Sequence, residues 1–242
     1  MLIHGFHAVM ARLRRAPESV GELYIDDGRD DARVRELVGL ARERGVRPHF
    51  VPAARIARLC PGRRHQGVVA MVEATAPTLT LEALLDAAST PLTLLLLDGV
   101  TDPRNLGACL RVADGAGAAA VIAPKDHACA LTEVAMQTAS GAAESVPYIM
   151  VTNLARAMDA IAERDIRLIG TDDAAPDALY EAPLPASVGW VLGAEGRGMR
   201  RLTRERCDAL VRIPMAGRVA SLNVSVAAGV VLYETLRRRL YP

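Results

Sequence analysis

Apolar and polar positions along this chain fall into blocks whose spacing predicts two α/β units of unequal size. Short apolar runs at residues 23–25, 49–51 and 68–72 predict strands. The stretch 30–44 places Val34, Leu37, Val38 and Ala41 at i, i+3, i+4 and i+7, the spacing of a helix packed on a sheet, and Gly45 closes it as a C-terminal glycine. Between 74 and 91 the chain turns to Ala, Thr and Pro around Pro77 and then passes through a short helix at 81–87, which marks a linker. From residue 92 onward, strands at 92–97, 119–122, 146–150, 166–170, 188–192 and 209–213 alternate with helices. These end near Gly115, cover 132–140 and 153–164, and finish with a long helix from about 221 to 239. Such regular alternation predicts a mostly parallel sheet with helices on both faces. The expected organisation is a small domain at 1–73, a linker at 74–91 and a larger domain at 92–242.

Composition narrows this picture. Hydrophobic residues make up 51% of the 242 but aromatics only 3%, so the core is built from Ala, Val, Leu and Ile, which suits helices on a parallel sheet. Cys60, Cys109, Cys129 and Cys207 are scattered without ligand spacing, which argues against disulfides and structural metal and for a reducing, cytoplasmic setting. No apolar run approaches the roughly 20 residues that span a bilayer. The net charge of +1 is silent about nucleic acid, but the basic residues are nearly all arginine, Lys125 being the one lysine. They cluster at Arg12/Arg14/Arg15, Arg55/Arg58/Arg63/Arg64, Arg197/Arg200/Arg201/Arg204/Arg206 and Arg237/Arg238/Arg239. Arginine's planar fork suits phosphate and bases. The competing explanation is the codon bias of a GC-rich genome with ordinary solvated helix faces, and it is favoured for the C-terminal triplet.

Three segments, 98–111, 193–199 and 213–223, each follow an apolar strand and turn polar and glycine-bearing. Ligands bind at the carboxyl ends of strands in such sheets, so the three point to one composite site. In the first, Asp102 and Pro103 form an N-cap and first-turn pair, and Arg104 and Arg111 emerge on nearly one helix face. Arg111 either reaches a phosphate or pairs with Asp114, and Asn105 either joins the site or satisfies backbone. In the second, the glycines of 193–198 fall as GxxGxG, not the GxGxxG of a dinucleotide fingerprint, which argues against a dehydrogenase. They still make a tight loop that lets backbone approach a ligand, with Glu195 holding the ligand or, preferred here, ordering the loop. In the third, Ser221 is a candidate N-cap. Leu222, Val226, Val230 and Tyr233 form a stripe that packs on the sheet or on a partner subunit.

Taken together, LDGVTDPRNLGACLR, GAEGRGMRRLTRE and IPMAGRVASLNVSVA resemble, in order and spacing, the three motifs of the SpoU or TrmH class of RNA ribose 2′-O-methyltransferases, and GAAESVP at 141–147 is similar to a further signature. IHGFHAV and HQGVVA near the N-terminus resemble the RNA-binding extension of a member that methylates a guanosine in the P loop of 23S ribosomal RNA. The resemblance implies a SPOUT-type α/β trefoil-knot domain with a small L30e-like α/β domain before it. It also implies S-adenosylmethionine as methyl donor, 23S rRNA as partner and a homodimer that shares its sites. Carried over by position, the cofactor residues are Gly193, Gly196, Gly198, Ile213, Met215, Gly217 and Leu222, with Gly193, Ile213 and Leu222 the most direct contacts. The catalytic group is Asn105, Arg111, Glu195, Ser221 and Asn223. A tRNA ribose methyltransferase and a non-catalytic ribosome-assembly factor are the rival expectations.

Overall fold

The computed structural model describes residues 2–62, 65–73, 79–88, 91–194 and 196–241. In chain order the first elements are β1 (Leu2–His4), α1 (Phe6–Arg15), β2 (Val20–Asp26), α2 (Ala32–Glu43), β3 (Pro48–Val51), α3 (Ala53–Leu59), β4 (Val68–Val72) and α4 (Leu81–Ala87). There follow β5 (Thr93–Asp98), α5 (Pro103–Gly115), β6 (Ala120–Pro124), α6 (Glu133–Ala139), α7 (Ala142–Ser145), β7 (Tyr148–Val151) and α8 (Leu154–Ala162). The chain ends with β8 (Arg167–Thr171), β9 (Asp177–Ala178), β10 (Val188–Gly193), α9 (Arg201–Glu205), β11 (Ala209–Arg212) and α10 (Val224–Leu240). These elements divide into two compact units, Met1–Thr78 with Ser140–Ser145, and Leu79–Ala139 with Val146–Pro242.

The first unit carries a four-stranded sheet in the order β1-β4-β2-β3. β2 and β3 are parallel, whereas β4 runs antiparallel to both β1 and β2. Helix α2 buries Val34, Leu37 and Ala41 with Leu13, Leu23 and Ile25, the face its sequence periodicity predicts. Asp31 starts that helix by accepting from the N–H groups of Arg33 and Val34, and the hydrogen bond from Arg29 holds its carboxyl below the ordinary value. Arg12 belongs to the architecture: it is 4% exposed and donates to Glu144 of α7 at 2.6 Å and to the Ser19 hydroxyl at 3.3 Å.

The second unit is built on a seven-stranded sheet ordered β7-β6-β5-β10-β8-β11-β9, in which every named pairing is parallel. All six residues of β5 are buried, as expected of a central parallel strand covered on both faces. Helix α4 adds Leu81 and Leu85 to the core formed by Leu94, Leu96, Ile122, Ile161 and Val191. The one tryptophan, Trp190, is fully buried and satisfies its N–H on the Thr235 hydroxyl of α10 at 2.8 Å. No helix among the described residues is long and apolar enough to cross a membrane. The four cysteines are free thiols.

In α10 the buried residues are Val224, Ala228, Val231, Leu232, Glu234 and Thr235, so of the expected stripe Val226 and Tyr233 do not pack on the sheet but stay half exposed, which leaves the partner-subunit alternative for them. The triplet Arg237/Arg238/Arg239 is also more than a solvated face. Arg238 donates to the carbonyls of Leu179, Tyr180 and Ala182, and Arg239 to those of Leu92 and Ala186. Apart from Leu92, which precedes β5, these carbonyls lie in the irregular return between β9 and β10, so the arginines satisfy its backbone. Glu234, itself buried, pairs with Arg237 at 2.8 Å and Arg238 at 2.6 Å.

The Arg237 hydrogen bond, with Arg238 second, lowers the Glu234 carboxyl to about 2. A carboxylate with a depressed folded value contributes stability fully above its unfolded value, about 4.3, and loses it as pH falls toward 2. Because Arg237 is half exposed, solvent screening reduces the contribution to about 1–2 kcal/mol. Glu234→Gln is therefore expected to lower thermal stability at pH 7 and to flatten its fall between pH 5 and pH 2, as read by circular-dichroism melts at each pH.

Candidate active site

Because the seven strands run parallel, β5, β10 and β11 deliver their following loops to the same edge of the sheet. β5 and β10 are neighbours, and Asp98 at the end of one is in register with Gly193 at the end of the other. Asp98 is 1% exposed, and its carboxylate accepts from the Arg200 backbone N–H at 2.8 Å and from Arg200 Nε at 2.6 Å. A buried carboxylate requires such a partner. The pair thus ties the far end of the second segment to the start of the first.

Between these anchors the glycine loop doubles back. Ala194 and Gly198 exchange backbone hydrogen bonds of 2.9 and 3.2 Å, and Gly196 and Gly198 adopt φ of +76° and +64°. Gly193 has no room for a side chain: a Cβ there would lie 2.1 Å from the carbonyl carbon of Gly198 and 2.2 Å from Met199 N. Gly193 therefore lets the loop close back on its own backbone at the strand end. Glu195 lies outside the described residues, as do Arg63 and Arg64.

Helix α5 begins as its sequence predicts, with Asp102 accepting from Arg104 N–H at 2.7 Å and Pro103 in the first turn. Asn105 sits half-buried in that turn, and its side-chain oxygen accepts from Asn223 Nδ2 at 3.0 Å. The first and third segments, 118 residues apart, thus meet through two amides. Asn223, not Ser221, caps α10: its oxygen accepts from Ser225 N–H at 2.9 Å and from the Ser225 hydroxyl at 2.6 Å. Ser221 is exposed two residues before the cap, and the helix starts at Val224 instead of near 221. Either residue type caps well, and Asn223 caps here while its Nδ2 also donates to Asn105.

Arg111, six positions beyond Asn105 on α5, is exposed and makes no ion pair among the described residues, so the alternative pairing with Asp114 is not adopted. The cluster around the second segment divides clearly. Arg200 binds Asp98, Arg201 Glu205, Arg204 Asp172 and Arg206 Asp159, whereas Arg197 stays exposed and unpaired among the described residues. The structural partners were invisible to local sequence reading because most lie 30 or more residues away. Asp98–Arg200 is the site pair that reading missed; its one signal was a charged residue closing an otherwise apolar strand.

After β11, Ile213 and Met215 are half-buried, Gly217 is exposed, and Leu222 is half-buried just before the cap. The chemistry on offer is backbone hydrogen bonding, apolar walls, two amides and the guanidiniums of Arg111 and Arg197, which make no ion pair among the described residues. Burial, reinforced by Asp208 and Asp98, pushes the Cys207 thiol up to about 12, so it stays protonated at neutral pH. Among the described residues no cluster of His, Cys, Asp and Glu is arranged to hold a metal ion.

The model of the SpoU rRNA Methylase family matches residues 92–233, and that of the RNA 2′-O ribose methyltransferase substrate-binding family matches 2–78. The 23S rRNA (guanosine-2′-O-)-methyltransferase RlmB of Bordetella pertussis is 53% identical over 238 residues, covering 98% of this chain and 97% of that protein. Its namesake from a Burkholderia species is 54% identical over 239 residues, covering 99% and 97%. The SpoU methyltransferase AviRb from Streptomyces viridochromogenes, solved in complex with AdoMet, aligns with a TM-score of 0.79 at 26% identity, covering 100% of this chain and 91% of that one.

Proposed function

This chain belongs to the SpoU rRNA methylase family, and from that membership and the geometry of its strand ends we propose that it methylates the ribose 2′-hydroxyl of a guanosine in 23S ribosomal RNA, with S-adenosylmethionine as donor. The observation that carries the reading is the meeting of Asn105 and Asn223 at the sheet edge where the Gly193 loop closes, within a chain 53% identical to RlmB over nearly its whole length.

The residues present fit the cofactor. At Gly196 and Gly198 the loop carries no side chain and a Cβ would meet only open space, so a ligand can approach the backbone there, and half-buried Ile213, Met215 and Leu222 offer apolar surface to an adenine. When bound, S-adenosylmethionine supplies an electrophilic sulfonium methyl. The task left to the protein is to make a ribose hydroxyl, a poor nucleophile at neutral pH, attack in line. Arg111 takes the phosphate of the target nucleotide, holds the hydroxyl in place, and with its fixed positive charge favours loss of the proton. A guanidinium is too basic to accept that proton, so water or a phosphate oxygen takes it. Ser221 and Asn223 orient the ribose, and Glu195 orders the cofactor loop.

The remaining parts of the reading concern assembly. The domain at 1–73 presents RNA, the linker at 74–91 joins it to the methyltransferase domain, and the protein acts in the cytoplasm, where the substrate is made. A second copy covers the outer side of α10, where Val226 and Tyr233 are 51% and 50% exposed, and brings Arg111 to the partner's cofactor. The test is a map of ribose 2′-O-methylation across ribosomal and transfer RNA from cells with and without the protein. Loss of one methylguanosine from 23S rRNA is expected. Unchanged 23S rRNA would overturn the assignment, and loss confined to tRNA would reassign the substrate.

A further inference from the structure

We propose that the groove between α2 and β3 in the first unit is a stacking subsite for an unpaired nucleotide of the RNA substrate. This rests on the methyltransferase reading and goes beyond it by naming where single-stranded RNA is gripped. The chain has two phenylalanines; Phe6 is buried at 3%, but Phe50 is 51% exposed on β3, an edge strand. Phe50 lines two adjoining hollows of about 380 and 400 Å3, each within the ~300–1,000 Å3 of small-ligand sites. An exposed aromatic face is what successive bases stack on when single strands are bound.

The surrounding charges suit a nucleotide. Arg35 and Arg42 lie on the first hollow, Arg42 and Arg47 on the second, and none of the three makes a side-chain ion pair among the described residues. Arg29 is held by Asp31 and so does not add to them. Asp27 and Asp30 line the first hollow only. A phosphate is repelled from that end and drawn toward Arg42 and Arg47, while the carboxylates can accept from amino groups on a base edge.

Gly39 is an independent pointer. It sits inside α2 on the stripe between Arg35 and Arg42, it lines the first hollow with Phe50, and a Cβ there would meet nothing within 4 Å. No turn and no internal packing calls for glycine at this position, and glycine is a poor helix former. What the missing side chain does leave is a bare strip of helix beside the aromatic ring, room for a planar base.

The experiment uses the full-length protein with two fluorescein-labelled RNA probes, a ten-nucleotide single strand and a duplex of the same sequence, read by anisotropy, together with turnover on unmodified 23S rRNA transcript. Phe50→Leu keeps the apolar volume and removes the ring, and at an exposed site it leaves folding intact. It is expected to weaken single-strand binding about tenfold to hundredfold and to raise KM for the transcript, with kcat and duplex binding within twofold. Gly39→Ala is expected to raise the melting temperature by about 2–4 °C while weakening single-strand binding, a combination that a purely structural glycine would not give. Arg42→Gln with Arg47→Gln is expected to weaken binding and reduce its salt dependence. Single-strand affinity within twofold of the unaltered chain in Phe50→Leu would overturn the proposal, including in favour of an acidic peptide as occupant. If the unaltered chain binds the single strand through Phe50 but methylates no transcript, the subsite stands and the activity assignment falls instead.

Discussion

Gly193→Ala is expected to lose S-adenosylmethionine binding by about tenfold or more, as read by titration calorimetry, with a smaller loss of thermal stability. The added Cβ would lie 2.1 Å from one backbone atom and 2.2 Å from another, and backbone cannot rotate out of the way as a side-chain tip can. Relief requires opening the Ala194–Gly198 bridge, yet the loop is pinned just beyond it by the Arg200 bonds to buried Asp98. The strain therefore falls on the loop proposed to hold the cofactor. Gly217→Ala is the informative comparison, because a Cβ there meets nothing within 4 Å. A loss of affinity in that variant reports contact with the cofactor itself. Cofactor binding at the unaltered affinity in Gly193→Ala would remove the 193–198 loop from the site.

Arg111→Ala is expected to reduce kcat for RNA methylation by about 10²–10³-fold while cofactor affinity stays within twofold. The side chain is exposed and carries no ion pair among the described residues, so its removal disturbs no buried partner and costs little stability. The effect then reads on chemistry alone. Arg111→Lys keeps the charge and loses the planar fork, and is expected to retain only part of the rate. If Arg111 serves the partner's cofactor, mixing Arg111→Ala with Gly193→Ala chains restores measurable turnover, because one of the two sites in a mixed dimer is intact. Near-normal turnover by Arg111→Ala would remove it from the mechanism and leave the positioning of the hydroxyl to the amides.

Much of this site was legible in advance because its signals are local. Asp102 followed by Pro103 announces a helix start within two residues, and the structure places α5 there. The three glycines of 193–198 announce a tight loop, and two of them adopt positive φ. The six buried residues of β5 are a continuous apolar run. The α2 face follows from spacing alone. Signals that depend on distant partners were misjudged. Ser221 and Asn223 are equally good caps in isolation, and in the fold it is the second that caps, with Asn105, far away in sequence, accepting from its amide. The C-terminal arginines look like a solvated run until the carbonyls of 179–186 are folded against them. Of the α10 stripe expected to meet the sheet or a partner, Val226 and Tyr233 are left off the sheet, since helix periodicity alone does not say which face meets it.

By itself, then, the sequence determined the alternation of strands and helices, the division into a small and a large α/β part, and three motifs specific enough to identify a family, because each is written in residues within one turn or one strand of each other. Only the tertiary structure decided that Gly193 tolerates no side chain, that Asp98 rather than solvent holds Arg200, and which arginines are structural and which are left unpaired. Those outcomes depend on atoms brought within 3 Å from positions up to 132 residues apart, and chain folding, not local propensity, sets such distances.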